Sequence, residues 1–183
     1  MIMQENQRVR LSKKLLKESL LYLLQKNNIH TISVREICDG AEINRTTFYK
    51  YYGSQYDLLK DMENDVLAEI DRYLSGDEKP SNYIEQITSI LCYINKNIDL
   101  CRLMLSNNVD PDFPEKIIRL PRVRELVAMS MQKSSEAEME YVFRFLIDGS
   151  FGFLKMWINK QSREDPEEIA ALLNQLIMKV SSE

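Results

Sequence analysis

Histidine and cysteine, the side chains that most often bind metals or act as nucleophiles, are scarce in this sequence. There is one histidine, His30, and the three cysteines Cys38, Cys92 and Cys101 have spacings that fit neither a metal site nor a disulfide framework. No glycine-rich phosphate loop and no acid–base pair accompanies them. The sequence therefore predicts no metal, no cofactor and no enzymatic activity, and it favours reduced thiols.

Long apolar runs and strand-like patterns are also missing. No segment has the roughly 20 apolar residues that a membrane-spanning helix needs, and the basic N-terminal segment lacks the apolar core of a signal peptide. We therefore expect a cytoplasmic protein without a membrane partner. Only five glycines and five prolines interrupt the 183 residues. Because leucine, isoleucine and methionine recur at helical spacing, the chain is predicted to be all-α.

Residues 31–59 carry the most informative pattern, TISVREICDGAEINRTTFYKYYGSQYDLL. Ser33 is placed to cap a short helix with an apolar stripe, and Gly40 is placed to end it. A second helix is expected to begin near Asn44, with Phe48 and Tyr52 one turn apart on its inner side. Its other side carries donors, hydroxyls and rings and only positive charge, which suits contact with DNA. The residues of that side are Arg45, Thr46, Thr47, Tyr49, Lys50 and Tyr51.

Charge is distributed unevenly along the chain. Residues 1–53 have nine Lys/Arg against five Asp/Glu, a net charge of +4, whereas residues 54–183 have a net charge of −8. A basic head on an acidic body is typical of a protein that touches nucleic acid with one end. Lys13, Lys14 and Lys17 of the first helix are expected to lie on its solvated side.

Periodicity and capping residues divide the chain into about nine helices. A three-helix head is expected over residues 1–53, and a larger helical domain for regulation and dimerisation over 54–183. A long helix over 54–75 would be shared as the connector, and residues 76–80 form the clearest break. Pro121 is expected to kink or restart the seventh helix. Ser135 would cap the eighth helix, and Asp165 the last.

The eighth helix is apolar on two sides, and both sides need a cover. Gly149 and Gly152 each weaken a helix by about 1 kcal/mol, so close approach of another backbone is the natural reason for them. A second copy of the chain is the favoured cover, forming a four-helix bundle from the last two helices of each subunit. The alternative is a central helix buried in a monomer. The predicted dimer interface comprises Gly149, Gly152, Phe153, Trp157, Leu172 and Leu176.

The segment VREICDGAEINRTTFYKYYGSQYDLL closely resembles the DNA-binding signature of the TetR family of bacterial transcriptional regulators. The resemblance covers residues 8 to about 60 and implies an N-terminal helix-turn-helix, a homodimer and a C-terminal ligand-binding domain. Two positions depart from the common pattern. Glu42 stands where many relatives have glycine, and Gln55 stands where they often have a phosphate-binding lysine. The residues in register are Ile37, Ala41, Ile43, Thr47, Phe48, Tyr49, Tyr51, Tyr52, Asp57 and Leu58.

The resemblance also implies roles for the residues that would face double-stranded DNA. Those that would approach base edges in the major groove are Thr46, Thr47 and Lys50. Those that would bind phosphates are Ser33, Asn44, Tyr49 and Tyr51, while Arg45 could serve either purpose. Gln55 can still hydrogen-bond a phosphate but releases no counterion, so a shallower salt dependence is expected there.

An effector pocket among the fourth to eighth helices is a further implication of the resemblance. A lining rich in methionine and aromatic side chains would suit an apolar or planar small molecule, although such side chains are more often simple core. The residues expected to line it are Tyr73, Tyr83, Tyr93, Met104, Met129, Tyr141 and Phe145.

The favoured function is a dimeric regulator that represses transcription by occupying a palindromic operator. An effector, either a small molecule or a partner protein, would release it by moving the fourth helix and changing the separation of the two heads. One alternative is a helical protein-interaction module that binds a partner in place of DNA. An enzyme built on the helical cavity is a third hypothesis, which the missing acid–base pairs disfavour.

Overall fold

The protein is described by a computed structural model that covers residues 2–75, 83–106, 109–130, 136–161 and 163–181. Side chains are described for all of these except residues 2–6, 83, 129, 130, 136, 137, 180 and 181. Within this part of the chain there are ten α-helices, one 3-10 turn and no strand. The predicted all-α class is therefore confirmed.

The helices follow one another along the whole chain. They are α1 (Ile2–Leu24), α2 (Val34–Gly40), α3 (Arg45–Tyr49), α4 (Gln55–Ser75), α5 (Tyr83–Lys96), α6 (Ile98–Met104), α7 (Phe113–Ile118), α8 (Pro121–Ser130), α9 (Glu136–Asn159) and α10 (Pro166–Ser181), with the 3-10 turn at Ile29–Thr31. The helix beyond the nine expected arises at Pro121. Proline lacks an amide hydrogen and is tolerated only in the first turn, so it begins α8 instead of continuing α7.

Packing divides the chain into two compact units. The first comprises Met1–Val66 and Ser106–Asp110, and the second comprises Leu67–Leu105 and Pro111–Glu183. The division falls inside α4, the helix that the sequence assigns to both parts. The domain boundary after residue 53 stays a prediction, and the predicted break at 76–80 and the cap Ser135 lie outside the described residues.

In the first unit, α1 packs on α2 and α2 packs on α3. Gly40 allows the close approach of α1, because a Cβ at this position would lie 2.5 Å from Ser19 Oγ. That hydroxyl is buried and donates a hydrogen bond of 2.9 Å to the carbonyl oxygen of Ile37. A larger residue at position 40 would therefore displace the Ser19 hydroxyl from its hydrogen bond or shift the two helices.

The turn between α2 and α3 passes through Glu42, whose φ of 54° lies in the left-handed region. Glycine adopts this conformation without a steric cost, whereas other residues do so uncommonly. The position is the one where the resemblance expects glycine. Glu42 therefore takes a conformation that glycine would adopt without strain.

In the second unit, α10 packs along α5, and α9 packs against α6, α8 and α10. Trp157 of α9 is 1% exposed, and its indole Nε1 donates a hydrogen bond of 3.0 Å to the carbonyl oxygen of Glu164. Trp157 was predicted at the dimer interface, but it belongs to the core of the single chain. Among the helices of the described residues, none combines the length and apolar character needed to cross a membrane.

Candidate nucleic-acid interface

A complete capping box fixes the start of α2. Ser33 Oγ accepts a hydrogen bond from the amide of Glu36, and Glu36 Oε2 accepts bonds from Ser33 Oγ at 2.7 Å and from the Ser33 amide at 2.8 Å. These bonds lower the pKa of Glu36. The Ser33 hydroxyl, predicted to bind a phosphate, therefore donates its proton inside the capping box.

The short helix α3 is capped at its start and packed against the core along its inner side. Asn44 Oδ1 accepts a hydrogen bond of 2.8 Å from the amide of Thr46, which caps the start of the helix. Phe48 is fully buried and packs against the rings of Tyr49 and Tyr52, with centroid distances of 5.5 and 5.6 Å. The prediction that Phe48 and Tyr52 belong to the core is confirmed.

The outer side of α3 carries the residues predicted to face DNA. Tyr49 is 58% exposed, Arg45, Thr46 and Lys50 are also exposed, and Thr47 is half-buried. In the described part of the chain, the side chains of Arg45 and Lys50 form no ion pair or hydrogen bond with another residue. Two exposed cationic side chains on this side of α3 are therefore unpaired within the described residues.

The start of α4 lies beside a contact that the sequence did not predict. Ser54 Oγ caps the helix by accepting a hydrogen bond of 3.3 Å from the amide of Asp57, and Gln55 is half-buried. The next residue, Tyr56, places its hydroxyl 2.9 Å from Nδ1 of His30. No local pattern signals this pair, because the two residues are 26 positions apart.

A charged cluster joins α1 to the residues that follow α3 and to α4. Asp61 Oδ2 accepts hydrogen bonds from the hydroxyl of Tyr52 at 2.7 Å and from Lys17 Nζ at 2.8 Å. Lys17 Nζ also lies 2.5 Å from Asp65 Oδ2, and Lys13 Nζ lies 5.2 Å from the centre of the Tyr52 ring. The cluster therefore holds the end of the α3 segment against two other helices.

The position of Lys17 corrects the expectation of a solvated side chain. Only 20% of its side chain is exposed, because two carboxylates of α4 draw it inward. Lys14, in contrast, is exposed, and its ion pair within the described residues is with Glu18 of the same helix. Helical spacing alone did not separate the two lysines, since their carboxylate partners lie on different helices.

Protonation of the cluster is set by its hydrogen bonds. Partial burial opposes ionisation of Asp61, but the bonds from Lys17 and Tyr52 outweigh it and hold the pKa of this carboxyl below its ordinary value. Burial and the bond to Asp61 raise the pKa of Tyr52. The stability contributed by Asp61 is therefore present above its unfolded pKa of about 4 and is lost as the pH falls below it.

Replacing Tyr52→Phe is expected to lower the free energy of unfolding by about 1–3 kcal/mol, because a part-buried hydrogen bond to a carboxylate is lost. Tyr49→Phe is the matched control, since the exposed Tyr49 hydroxyl contributes no such bond, and a change within about 0.5 kcal/mol is expected. Urea unfolding followed by circular dichroism measures both. Equal losses in the two variants would mean that the Tyr52–Asp61 bond does not stabilise the protein.

The residues predicted to line an effector pocket separate into two groups. Tyr73 and Tyr93 are brought together, with ring centroids 5.6 Å apart, and the guanidinium carbon of Arg72 lies 4.3 Å from the centre of the Tyr73 ring. Met104 is buried in the second unit. The side chains of Tyr83 and Met129 lie outside the described ones.

Tyr141 and Phe145, the other predicted pocket residues, lie on the outer side of α9. They are 80% and 62% exposed, because their helical spacing places them with Gly149, Gly152 and Met156 on a stripe opposite the buried residues of α9. A Cβ added at either glycine would meet nothing within 4 Å in the described part of the chain. In the single chain, the side chains of Tyr141 and Phe145 therefore lie on an exposed surface, and their place in a pocket stays a prediction.

The helix α10 also carries exposed apolar side chains. Leu172 and Leu176, both predicted at the dimer interface, are exposed, and Phe153 of α9 is half-buried. Exposed apolar patches on soluble proteins commonly mark interaction sites. We call the exposed set the α9/α10 face, and its residues are Tyr141, Phe145, Gly149, Gly152, Met156, Leu172 and Leu176.

Short capped helices joined by a tight turn, with an exposed second helix, form the helix-turn-helix of many transcriptional regulators. Residues 81–179, more than half of the chain, match the TetR-type family described as "Transcriptional regulator C-terminal region". The chain therefore belongs to the TetR family of transcriptional regulators. Among the described residues, no group of three or more His, Cys, Asp or Glu side chains could hold a metal ion.

One relative is similar to this chain over about half of the chain's length. DhaS of Lactococcus lactis subsp. lactis (strain IL1403), named an HTH-type dhaKLM operon transcriptional activator, is 28% identical over 87 residues, which is 48% of this chain and 45% of DhaS. The matched part thus spans less than half of that relative's length.

Solved structures resemble nearly the whole fold. A TetR transcriptional regulator from Streptococcus agalactiae 2603V has a TM-score of 0.70 and 21% identity, covering 97% of this chain and 99% of that one. A structure of the dihydroxyacetone kinase operon activator DhaS has a TM-score of 0.65 and 20% identity, covering 93% and 96%. At these identities the likeness concerns the fold.

Proposed function

We propose that the protein regulates transcription by binding a palindromic DNA operator as a homodimer, with α3 of each protomer in the major groove. The observation that carries this proposal is the outer side of α3. There Arg45 and Lys50 are exposed and unpaired within the described residues, while the buried Phe48 holds the helix in place. A rigid helix with free donors on one side is suited to base edges and phosphates.

Phosphate contacts are proposed on both sides of α3. Gln55 at the start of α4 supplies a side-chain donor, and Asn44, Tyr49 and Tyr51 add polar groups along α3. Ser33 would bind a phosphate by exchanging its bonds to Glu36 for it. Such contacts position a protein on the duplex without reading sequence. Each cationic side chain that neutralises a phosphate makes affinity fall more steeply with salt, and Gln55 adds no such dependence.

The proposed dimer is formed by the α9/α10 face of two chains. Its exposed aromatic and aliphatic side chains would be buried against the same face of a second copy, in the arrangement of a four-helix bundle. Gly149 and Gly152 lie in the middle of the α9 stripe and leave room for a second backbone. Phe153 is proposed at the edge of this interface, and Trp157 is not part of it.

The variants Gly149→Ala and Gly152→Ala test this packing, because they should stabilise a monomer but weaken association of the proposed dimer. In a monomer each change would stabilise the helix by about 1 kcal/mol, because alanine has the higher helix propensity and meets no neighbour. In the proposed dimer the added methyl groups meet the partner, so association is expected to weaken by roughly tenfold. Sedimentation equilibrium measures the dissociation constant. Unchanged association with a raised Tm would contradict close packing at the glycines.

Repression through operator occupancy, with release by an effector, is the proposed mode of regulation. The related DhaS is named an activator. Whether this protein represses or activates transcription is therefore tested separately, by measuring expression from a promoter fusion. The tyrosine pair Tyr73–Tyr93 is the proposed contact for a planar or apolar effector, because the two rings already lie 5.6 Å apart. A partner protein acting on the second unit would serve the same purpose.

Selection of bound sequences from random duplex DNA by the purified protein tests the proposed function. The expected result is a palindrome whose half-sites are about one helical turn apart, or a multiple of it, bound with an affinity that falls with salt. Absence of any enriched sequence, together with absence of salt-dependent binding, would contradict the proposal. That result would favour a helical protein-interaction module.

A further inference from the structure

The amide oxygen at the start of α3 and the carboxylates of α2 have partners within the first unit, whereas Glu42 in the turn between the two helices is exposed. Asn44 is the only amide in residues 44–50, and its Oδ1 accepts a hydrogen bond from the Thr46 amide at 2.8 Å. On α2, Glu36 Oε2 is held in the capping box, and Asp39 pairs with Arg35 at 3.4 Å. The outer side of α3 therefore presents no free carboxylate or amide oxygen from residues 44–50.

Free donors, in contrast, dominate the side of α3 opposite the core. At about 100° per residue, Thr46 and Lys50 each point roughly 160° away from Phe48. Arg45 lies only about 60° from Phe48 by the same count, but it is the first residue of the helix and its side chain is exposed. First-turn residues of such helices are the ones that commonly reach base edges. Arg45, Thr46 and Lys50 are thus the side chains best placed to select a base.

The chemistry of these three side chains discriminates among the bases. Guanine shows two acceptors, O6 and N7, in the major groove, and these match Arg or Lys. Adenine and cytosine each show an amino group there, which is read best by an acceptor from Asn, Gln, Asp or Glu. A threonine methyl group can contact the thymine methyl, and a threonine hydroxyl offers only one oxygen.

We infer that this interface selects guanine at the base pairs under Arg45 and Lys50, with thymine under Thr46, and disfavours adenine and cytosine read on the same strand. The inference rests on the proposed DNA-binding function and adds its base preference. Arg45 and Lys50 are specificity-determining residues in this assignment. The phosphate-binding residues contribute affinity without base preference.

The test repeats the selection from random duplexes with the full-length protein and two single variants. The wild type is expected to enrich guanine at two positions of each half-site. Arg45→Gln and Lys50→Gln are each expected to lose guanine at one of these positions in favour of adenine, because glutamine pairs with adenine N6 and N7. The expected loss is about five- to 150-fold in preference, which is the range of one bidentate contact, ~1–3 kcal/mol.

A chemical probe assigns each guanine to its side chain. Replacing one selected guanine by 7-deazaguanine removes the N7 acceptor, and wild-type affinity is expected to fall by about fivefold. The variant at the matching residue is expected to be insensitive to the same replacement. Lys14→Gln is the control, since Lys14 is an exposed lysine of α1 paired with Glu18, and it should retain the wild-type base preference.

The possible results separate the two claims. Enriched palindromes without guanine, or guanines whose 7-deaza replacement has no effect, would overturn the base preference while leaving DNA binding intact. A base profile unchanged in one variant would overturn the assignment of that residue. The absence of any enriched sequence for the wild type would overturn the proposed function and the base preference together.

Discussion

The double variant Tyr49→Ala/Lys50→Ala is expected to lose specific operator binding and to remain a dimer. Both side chains are exposed on the outer side of α3, and α3 itself is held by Phe48, which the changes leave in place. A dimer loses the proposed phosphate contact and the proposed base contact in each half-site. With about 1 kcal/mol for each of the four contacts, about 4 kcal/mol in total, the operator affinity should fall roughly 1,000-fold.

The chain offers a closely matched control in Tyr22→Ala/Lys26→Ala. Tyr22 is 59% exposed, against 58% for Tyr49, and Lys26 Nζ donates a hydrogen bond of 3.0 Å to its hydroxyl. This pair lies on α1 and the loop after it, so the same two residue types are removed away from α3. Fluorescence anisotropy with the selected operator should show nearly unchanged affinity. Normal operator binding by the Tyr49/Lys50 variant, or equal losses in both variants, would exclude α3 as the reading element.

The second large effect is expected for Phe145→Glu, which should convert the dimer to a monomer. Phe145 is 62% exposed in the single chain and lies on the α9 stripe that the proposed bundle would bury. Two-fold symmetry applies the change twice, and each copy loses the burial of a phenylalanine, about 1.5–3 kcal/mol. Dimer affinity should therefore fall at least roughly 100-fold, before the cost of burying two carboxylates is added.

Leu11→Glu on α1 is the matched control for this variant. Leu11 is 57% exposed, so the same charge is introduced at an apolar side chain of similar exposure outside the α9/α10 face. Sedimentation equilibrium should show a dimer for Leu11→Glu and a monomer for Phe145→Glu. Operator affinity should fall in the monomer as well, because the two half-sites are then bound singly. A Phe145→Glu protein with the wild-type dissociation constant would place the dimer interface elsewhere.

Local signals in the sequence were sufficient to predict the helix-turn-helix. The caps Ser33 and Asn44 act within one turn of backbone and form the helix starts expected of them. Gly40 is the last residue of α2, as expected, but the left-handed residue that turns the chain is Glu42. The restart at Pro121 was one of two expected outcomes, because proline permits either a kink or a new helix.

Contacts between residues far apart in the chain could not be predicted from the sequence, for a physical reason. The α9 helix is apolar on two sides, and nothing in its spacing says which side its own chain covers. Trp157 was therefore assigned to the interface although it is core, and the exposure of Phe145 in the single chain was not foreseen. Lys17 was assigned to solvent for the same reason, since its partners Asp61 and Asp65 lie on another helix.

Hydroxyl-radical footprinting of the protein on its selected operator tests the central claim most directly. If two α3 helices read one palindrome as a dimer, protection should appear as two patches on one face of the duplex. Their centres should be about one helical turn apart, roughly 34 Å, or a multiple of it. Tyr49→Ala/Lys50→Ala should remove both patches together. A single patch, or protection spread evenly along the duplex, would contradict a paired, sequence-reading helix-turn-helix.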